Sequence, residues 1–209
     1  LELWRKAARK VSVVLLPIGG VLFVIAPELM TLLYSSEYIE SSRPLRIYLL
    51  LLPARLIFFG AIFQAAGRTD LILKRAVGTL VLNTLVSYPL IYYFGIEGAA
   101  WGTVIVFWGY VIPYCIGYCS RLLEVKWFQL MPYRQVGLMI LMMIVAGVVA
   151  TALQQLLPFE NALVVAMTTT AMFLVFLGPP FFLLYRKDLK GYWDTVRHRL
   201  GGRGDGMAS

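Results

Sequence analysis

The segment "LLLLPARLIFFGAIF", residues 49–63, contains fourteen residues that suit a lipid environment and one permanent cation, Arg55. A guanidinium keeps its charge at any ordinary pH. A central arginine costs about 2.5–3.5 kcal/mol to insert into a membrane, so it faces a bundle interior or a watery cavity. Pro53 removes a backbone hydrogen bond and allows the helix to bend. The segment therefore predicts a membrane helix that carries a polar function.

The rest of the chain has the same apolar character. Of its 209 residues, 60% are hydrophobic and 14% are charged, and the mean hydropathy is +0.76. A soluble domain of this length has too little interior for so much apolar surface. Runs of about 20 apolar residues are long enough to cross a bilayer as helices. We predict an all-α fold, a polytopic transmembrane bundle of six helices, over residues 11–33, 44–66, 76–94, 98–119, 135–157 and 162–185.

Basic residues alternate between the two ends of these spans. They concentrate before span 1, between spans 2 and 3, between spans 4 and 5, and in the tail. The other three connections contain four acidic and two basic residues: Glu37, Glu40, Glu97, Glu160, Arg43 and Arg46. The positive-inside rule then places both termini in the cytoplasm. We expect the protein in the cell (inner or plasma) membrane. Anionic membrane lipid suffices as the partner of a chain with net charge +8, and we expect no nucleic acid partner.

Small and reactive residues are interpreted as packing positions, not as catalytic groups. Cys115 and Cys119 are four residues apart within span 4, and two thiols alone make a poor metal site. Gly98 and Gly102 form a GxxxG step, which favours close helix packing. The one histidine, His198, lies in the basic tail, and no Ser-His-Asp set, HExxH motif or phosphate-binding loop occurs. We therefore expect no catalytic residue, metal ligand or cofactor, and no enzyme.

The strongest candidate binding residue, Arg55, lies in span 2. On a helical wheel, Tyr48, Leu52, Arg55 and Phe59 share one face. Arg55 could attract an anionic group in a cavity, or it could pair with a carboxylate or carbonyls of a neighbouring helix. The second alternative has few carboxylates to use, because Glu28 is the only acid inside a predicted span.

Span 3 carries a polar stripe of Thr79, Asn83 and Ser87 at four-residue intervals. Asn83 could line a cavity, or the stripe could make interhelical hydrogen bonds. The sequence leaves both alternatives open. Pro89 is expected to break this helix near the outer surface.

The chain is interpreted as a piece of a longer protein. It begins with leucine, and "LELWRKAARK" is typical of a cytoplasmic amphipathic lead-in. Spans 1–4 contain the charged and polar positions, whereas spans 5 and 6 have uncharged interiors and are interpreted as peripheral. We expect a lead-in at 1–10, four helices of a functional core at 11–120, two additional peripheral helices at 121–185 and a basic cytoplasmic tail at 186–209.

Several short motifs follow one another between residues 25 and 105. They are "APEL" and "LLYSSEY" within 26–38, "AAGRTDLIL" at 65–73, "LN" at 82–83 and "YYFGIEGAAWGT" at 92–103. In this order they resemble the C-terminal half of the polysaccharide flippases of the MOP superfamily, the Wzx-type exporters of lipid-linked sugars. The resemblance covers about half of the chain by motif, and spans 5 and 6 by hydropathy only.

This resemblance implies a fourteen-helix transporter, of which these spans would be helices 9–14. The implied substrate is an oligosaccharide on polyprenyl pyrophosphate, flipped for polysaccharide biosynthesis by alternating access through a cationic central cavity. The implied partners are the N-terminal lobe of the same full-length protein and other polysaccharide-assembly proteins. The implied substrate-binding residues are Arg55, Asn83, Tyr48, Arg46 and Ser87. Arg46 lies on the opposite wheel face from Arg55, so a shared cavity would require the kink at Pro53 to rotate the two halves.

Three other functions fit part of the sequence. A MATE-like drug/cation antiporter of the same superfamily needs membrane-embedded acids, and only Glu28 is present in these spans. A membrane enzyme of polysaccharide assembly is expected to carry a long outer loop, whereas the longest outward loop here is about 34–43. A scaffold that recruits partners through the basic tail is also compatible with the sequence.

Overall fold

The computed structural model describes residues 2–55, 59–126, 130, 133–156 and 161–201, and all regular structure in these residues is helical. The all-α prediction is therefore confirmed for the part of the chain that is described. The α-helices, in chain order, are α1 (Glu2–Val24), α2 (Ala26–Tyr34), α3 (Ser42–Leu49), α4 (Leu52–Arg55), α5 (Phe59–Ala65), α6 (Thr69–Val106), α7 (Ile112–Leu122), α8 (Tyr133–Gln154) and α9 (Ala162–Gly201). A 3₁₀ helix (Ser36–Ser41) precedes α3, and a π-helical turn (Phe107–Val111) joins α6 to α7.

The first predicted span, 11–33, is a bent pair of helices. α1 ends at Val24, α2 begins at Ala26, and the two axes differ by 75°. Pro27 is the physical reason, because it has no N–H to donate to the carbonyl of Phe23 four residues earlier. Proline is tolerated in the first turn of a helix, so a new helix starts around it.

The second predicted span, 44–66, is also interrupted. α3 ends at Leu49 and α4 begins at Leu52, and the segments on either side of this break meet at 42°. Pro53 follows the break directly, and its missing N–H interrupts the hydrogen-bond ladder. The bend that the sequence predicts at Pro53 is therefore confirmed.

α6 and α7 form an antiparallel hairpin that reverses at Gly95. Gly95 adopts φ 58° and ψ −134°, where a residue with a β-carbon would be strained. The two arms run side by side, since Arg75 Nη1 donates to Cys115 Sγ at 3.5 Å and the Tyr114 hydroxyl donates to the carbonyl of Leu71 at 3.1 Å. In one straight helix, positions 75 and 115 would be about 60 Å apart.

Small residues let the two arms approach closely near this turn. Gly98 and Gly102 are both buried. A β-carbon on Gly98 would overlap the backbone of Leu90, and a β-carbon on Gly102 would overlap Ser87. The interpretation of this GxxxG step as close helix packing is therefore confirmed.

Two further predictions for the hairpin have different outcomes. The expected helix break at Pro89 is wrong, because the helix continues through Pro89 and the chain reverses only at Gly95. The fixed φ of proline is compatible with a helix, whereas the reversal uses a positive φ. Cys115 and Cys119 are free thiols with no solvent exposure in the main hydrophobic cluster, so their interpretation as packing residues is confirmed.

α8 and α9 pack on each other and on the first helices of the chain. Their mutual contact is the most extensive between two described helices, and both also contact α1. A second hydrophobic cluster joins them, formed by Val24, Ala146, Ala150, Phe173 and Leu177. Gln154 Oε1 adds a polar tie, since it accepts hydrogen bonds from the hydroxyls of Thr168 and Thr169 at 2.9 and 3.1 Å. The division of the chain at residue 121 stays a prediction.

Several described helices are long and apolar enough to cross a membrane. Three segments qualify singly by length and composition: Thr69–Leu122, Val136–Gln154 and Ala162–Phe182. The number rises to five if each bent pair is counted as one span. These helices are compatible with a membrane-embedded protein.

Candidate functional site

A cavity of about 730 Å³ lies between α1, α3, α4, α8, α9 and the end of α6. Its wall is almost entirely apolar. Among the described residues that line it, Arg46 carries the only charge and Thr151 the only hydroxyl group. A mostly apolar pocket with a few fixed polar groups is typical of a small-molecule site. The chemistry of this wall suits an amphiphile with an anionic end.

Arg46 binds the end of α1 from the facing helix α3. Its Nε donates to the carbonyl of Phe23 at 2.9 Å, and its Nη2 donates to the carbonyl of Val24 at 3.1 Å. The guanidinium carbon also lies 5.7 Å from the centre of the Phe23 ring. The last carbonyls of a helix lack internal donors, and a cation near them is favoured by the helix dipole. Arg46 therefore stabilises the 75° break between α1 and α2.

Trp108 stabilises the second break, between α3 and α4, in the same way. Its indole Nε1 donates to the carbonyl of Leu50 at 3.3 Å. Leu50 lies between α3 and α4, where the N–H of Ala54 donates to Leu51 instead of Leu50. Trp108 itself belongs to the π-helical turn, an irregularity that is frequent at functional sites. Irregular backbone from three segments therefore meets at the cavity, and two of its lining side chains supply the donors.

The Trp108→Phe variant is expected to lower the stability of the folded protein by about 0.5–1.5 kcal/mol, because the carbonyl of Leu50 loses this donor. Thermal unfolding of the full-length protein in detergent measures this effect. Trp101→Phe is the matched control, since Trp101 is an exposed indole of the same hairpin arm outside the cavity. Equal stability of the two variants would contradict a structural role for the Trp108 hydrogen bond.

Arg55 lies beyond the second break and does not line the cavity. Its side chain is exposed, and its guanidinium carbon lies 5.8 Å from the centre of the Phe107 ring. Within the described part of the chain, no carboxylate forms a salt bridge with Arg55. A charge at membrane depth needs a polar environment.

The other three predicted binding residues also lie outside the cavity wall. Tyr48 and Arg55 are both exposed and Phe59 is buried, and the common face predicted for span 2 stays a prediction. Asn83 Oδ1 accepts a hydrogen bond from the Ser87 hydroxyl at 2.7 Å within α6. Ser87 also lies against Gly102 of the second arm. Of the five predicted residues, the structure brings only Arg46 to the cavity, and their binding roles stay predictions.

Ion pairs join connecting segments at the ends of the bundle. Arg43 Nη1 lies 3.3 Å from Glu97 Oε1 and links the start of α3 to the hairpin turn. In the connection between α5 and α6, Arg68 Nε and Nη2 donate to the two carboxylate oxygens of Asp70 at 2.9 and 3.0 Å. The hydrogen bond to this carboxylate raises the pKa of Arg68 above its ordinary value.

Sequence reasoning missed Trp108 and the structural contacts of Arg46. The available signal was indirect, because a proline in an apolar run implies a carbonyl without its helical donor. Pro27 carries that signal for the carbonyl of Phe23, whereas Pro53 carries it for the carbonyl of Leu49 and only marks the neighbourhood of Leu50. The donor side chains come from positions 23 and 58 residues away from the carbonyls of Phe23 and Leu50, and no local pattern pairs them.

Comparison with known proteins found no match: no family model matches this chain, and no curated protein or solved structure does. The fold and the site define the class of the protein. In its described part it is an all-helical protein whose apolar helices are compatible with a membrane. It has an apolar cavity, and Arg46 is the one charged side chain among the described residues of the cavity wall.

Proposed function

We propose that this chain is the C-terminal half of a flippase that translocates oligosaccharide on polyprenyl pyrophosphate for cell-surface polysaccharide biosynthesis. The observation that carries the proposal is the apolar cavity with Arg46 in its wall. An isoprenoid chain complements the apolar lining, and a guanidinium binds phosphate oxygens in bidentate geometry. The resemblance of residues 25–105 to MOP-superfamily flippases supports the same substrate.

The proposed topology has six membrane crossings. Each bent pair counts as one crossing, α8 and α9 count as one each, and the reversal at Gly95 divides Thr69–Leu122 into two. These crossings correspond to helices 9–14 of a fourteen-helix transporter of the cell membrane. The distribution of basic residues supports cytoplasmic termini that contact anionic lipid.

The exposure of Arg55 is an argument for a second lobe of the protein that faces this one. An exposed intramembrane cation without a described carboxylate partner needs a polar environment. In the proposed transporter, this side of α4 borders a central cavity that the N-terminal lobe completes and that opens to one side at a time. Arg55 binds acidic sugars of the substrate there, with Tyr48, Asn83 and Ser87 as further contacts. Other polysaccharide-assembly proteins are proposed partners, and no catalytic residue, metal or cofactor takes part.

A second candidate function, drug/cation antiport, is favoured by Glu28. Its Oε2 is buried and has no hydrogen-bond partner among the described residues. A cation antiporter requires acidic side chains within its membrane-spanning helices, and Glu28 is such a side chain in a predicted span. The flippase proposal accounts better for the cavity, because Arg46 in its wall repels cationic drugs.

Depletion of the full-length protein tests the flippase proposal. Surface polysaccharide is expected to fall and the lipid-linked precursor to accumulate on the inner leaflet, because synthesis of the precursor continues without export. Both quantities are measured in the same cells, with re-expression of the protein as the control. Altered sensitivity to cationic drugs with normal polysaccharide would favour the antiporter. An altered glycan composition or chain length would favour an enzyme.

A further inference from the structure

We propose that Arg46 is an anion-binding residue whose position is preset by the break between α1 and α2, so that ligand affinity in the cavity depends on Pro27. The ligand class is an isoprenoid pyrophosphate, with its chain in the cavity and its anionic end on Arg46. This inference rests on the proposed function and extends it. It assigns the anionic end of the substrate to one side chain and links that side chain to the shape of a helix.

One edge of the Arg46 guanidinium is held by the backbone. Nε and Nη2 form this edge, and they donate to the carbonyls of Phe23 and Val24 at 2.9 and 3.1 Å. A free arginine side chain loses much rotamer freedom when it binds a ligand. Here that freedom is lost on folding, so it does not oppose ligand binding.

The other edge of the guanidinium is available to a ligand. Nη1 makes no hydrogen bond to any residue that the structure describes, and Arg46 lines the cavity. No acidic side chain is among the described lining residues, so none of them competes for this edge. Hydrogen bonds between charged groups are roughly twice as strong as neutral ones. A pyrophosphate can therefore bind through Nη1 while the first edge remains on the carbonyls.

Pro27 controls this arrangement without lining the cavity. With an ordinary residue at position 27, a backbone N–H could donate to the carbonyl of Phe23 and extend the helix. Arg46 would then lose one of the two acceptors that orient it. A substitution at Pro27 is thus expected to change the affinity for the anionic end of the ligand through the orientation of Arg46.

Binding of three probes to the full-length protein in phosphatidylcholine nanodiscs tests the role of Arg46. Farnesyl pyrophosphate is expected to bind about tenfold more tightly than farnesol, and inorganic pyrophosphate only weakly. Arg46→Gln is expected to abolish this preference and to retain farnesol binding. Arg46→Lys is expected to keep only part of the preference, because an ammonium is a point charge without the planar fork of a guanidinium. Arg43→Gln is the matched control, since Arg43 belongs to the same helix outside the cavity and is expected to have wild-type affinities.

The pair Pro27→Ala and Pro89→Ala tests the link to the helix break. Pro27→Ala is expected to weaken farnesyl pyrophosphate binding about threefold to tenfold and to leave farnesol binding unchanged, because one carbonyl–guanidinium contact is lost. Pro89→Ala makes the same chemical change within α6, outside the cavity wall, and is expected to have no effect. If Arg46→Gln also lost farnesol binding, the cavity would have collapsed in that variant. The comparison of Pro27→Ala with Pro89→Ala would then decide whether Arg46 binds the anionic end of the ligand.

Several results would overturn the inference. Equal affinities of the wild type for farnesol and farnesyl pyrophosphate would contradict an anion-binding site at Arg46. Equal effects of Pro27→Ala and Pro89→Ala on ligand affinity would contradict the proposed dependence of affinity on the break between α1 and α2. Displacement of farnesyl pyrophosphate by phosphatidylglycerol would assign the site to ordinary membrane lipid. Each result is distinct from failure of the flippase proposal, which is measured by precursor accumulation in depleted cells.

Discussion

Cells that express the Arg55→Gln variant of the full-length protein are expected to display about tenfold less surface polysaccharide, at unchanged abundance of the protein in the membrane. In the proposed transporter, the variant would lose a charged hydrogen bond to the acidic sugars of the substrate, which would contribute about 1.5–3 kcal/mol. A difference of about 1.4 kcal/mol corresponds to a factor of ten. Stability is expected to change little, because the described contacts of Arg55 are limited to the Phe107 ring.

Three quantities distinguish transport from folding in this experiment: surface polymer, lipid-linked precursor on the inner leaflet, and protein abundance. Less polymer with more precursor at constant abundance would assign Arg55 to transport. Arg55→Lys retains the positive charge and is expected to restore part of the export, since a lysine can still attract a phosphate. Normal export by Arg55→Gln, or a collapse of its abundance, would contradict a transport role and make Arg55 dispensable or structural.

The Gly98→Ala variant is expected to destabilise the folded protein by about 1–3 kcal/mol, the usual cost of an extra group in a tightly packed interior. Gly98 is buried, and its β-carbon would overlap the backbone of Leu90 in the other arm of the hairpin. Backbone atoms cannot move aside as the end of a flexible side chain can. The arms would therefore have to separate near the turn at Gly95.

Thermal unfolding in detergent and abundance in the membrane measure this effect. Gly117→Ala is the matched control, because Gly117 lies in α7 with open space where its β-carbon would be. Alanine has the higher helix propensity, so this control is expected to be neutral or slightly more stable. A Gly98→Ala protein as stable as the Gly117→Ala protein would show that the arms are not packed at this point.

Local chemistry determined most of what the sequence predicts correctly. Apolar runs of about 20 residues are too long for ordinary strands, so the helical class follows from their length. A missing N–H acts on the carbonyl four residues earlier in the same helix, so the bend at Pro53 could be predicted. The small residues of the GxxxG step and the two cysteines likewise indicate packing from their size and polarity alone.

The outcome at Pro89 and Gly95 shows where local reasoning is incomplete. Both residues can interrupt a helix, and proline is the stronger breaker within a helix. The chain nevertheless continues through Pro89 and reverses at Gly95, because only glycine adopts the required positive φ without strain. The close fit of the two arms at Gly98 then holds the reversal in this register.

The tertiary structure alone decided which residues meet at the site. Arg46 lines the cavity while Arg55 does not, which agrees with their opposite faces on a helical wheel, but a wheel does not show which of its faces meets a cavity. The carbonyl of Leu50 is satisfied by Trp108, 58 residues away, and the carbonyl of Phe23 by Arg46, 23 residues away. The sequence by itself determined that helices form and that the helix containing Pro53 bends there. Only the packing of the helices decided which distant side chain supplies each missing donor, because a hydrogen bond depends on atoms lying within about 3 Å of each other and not on their order along the chain.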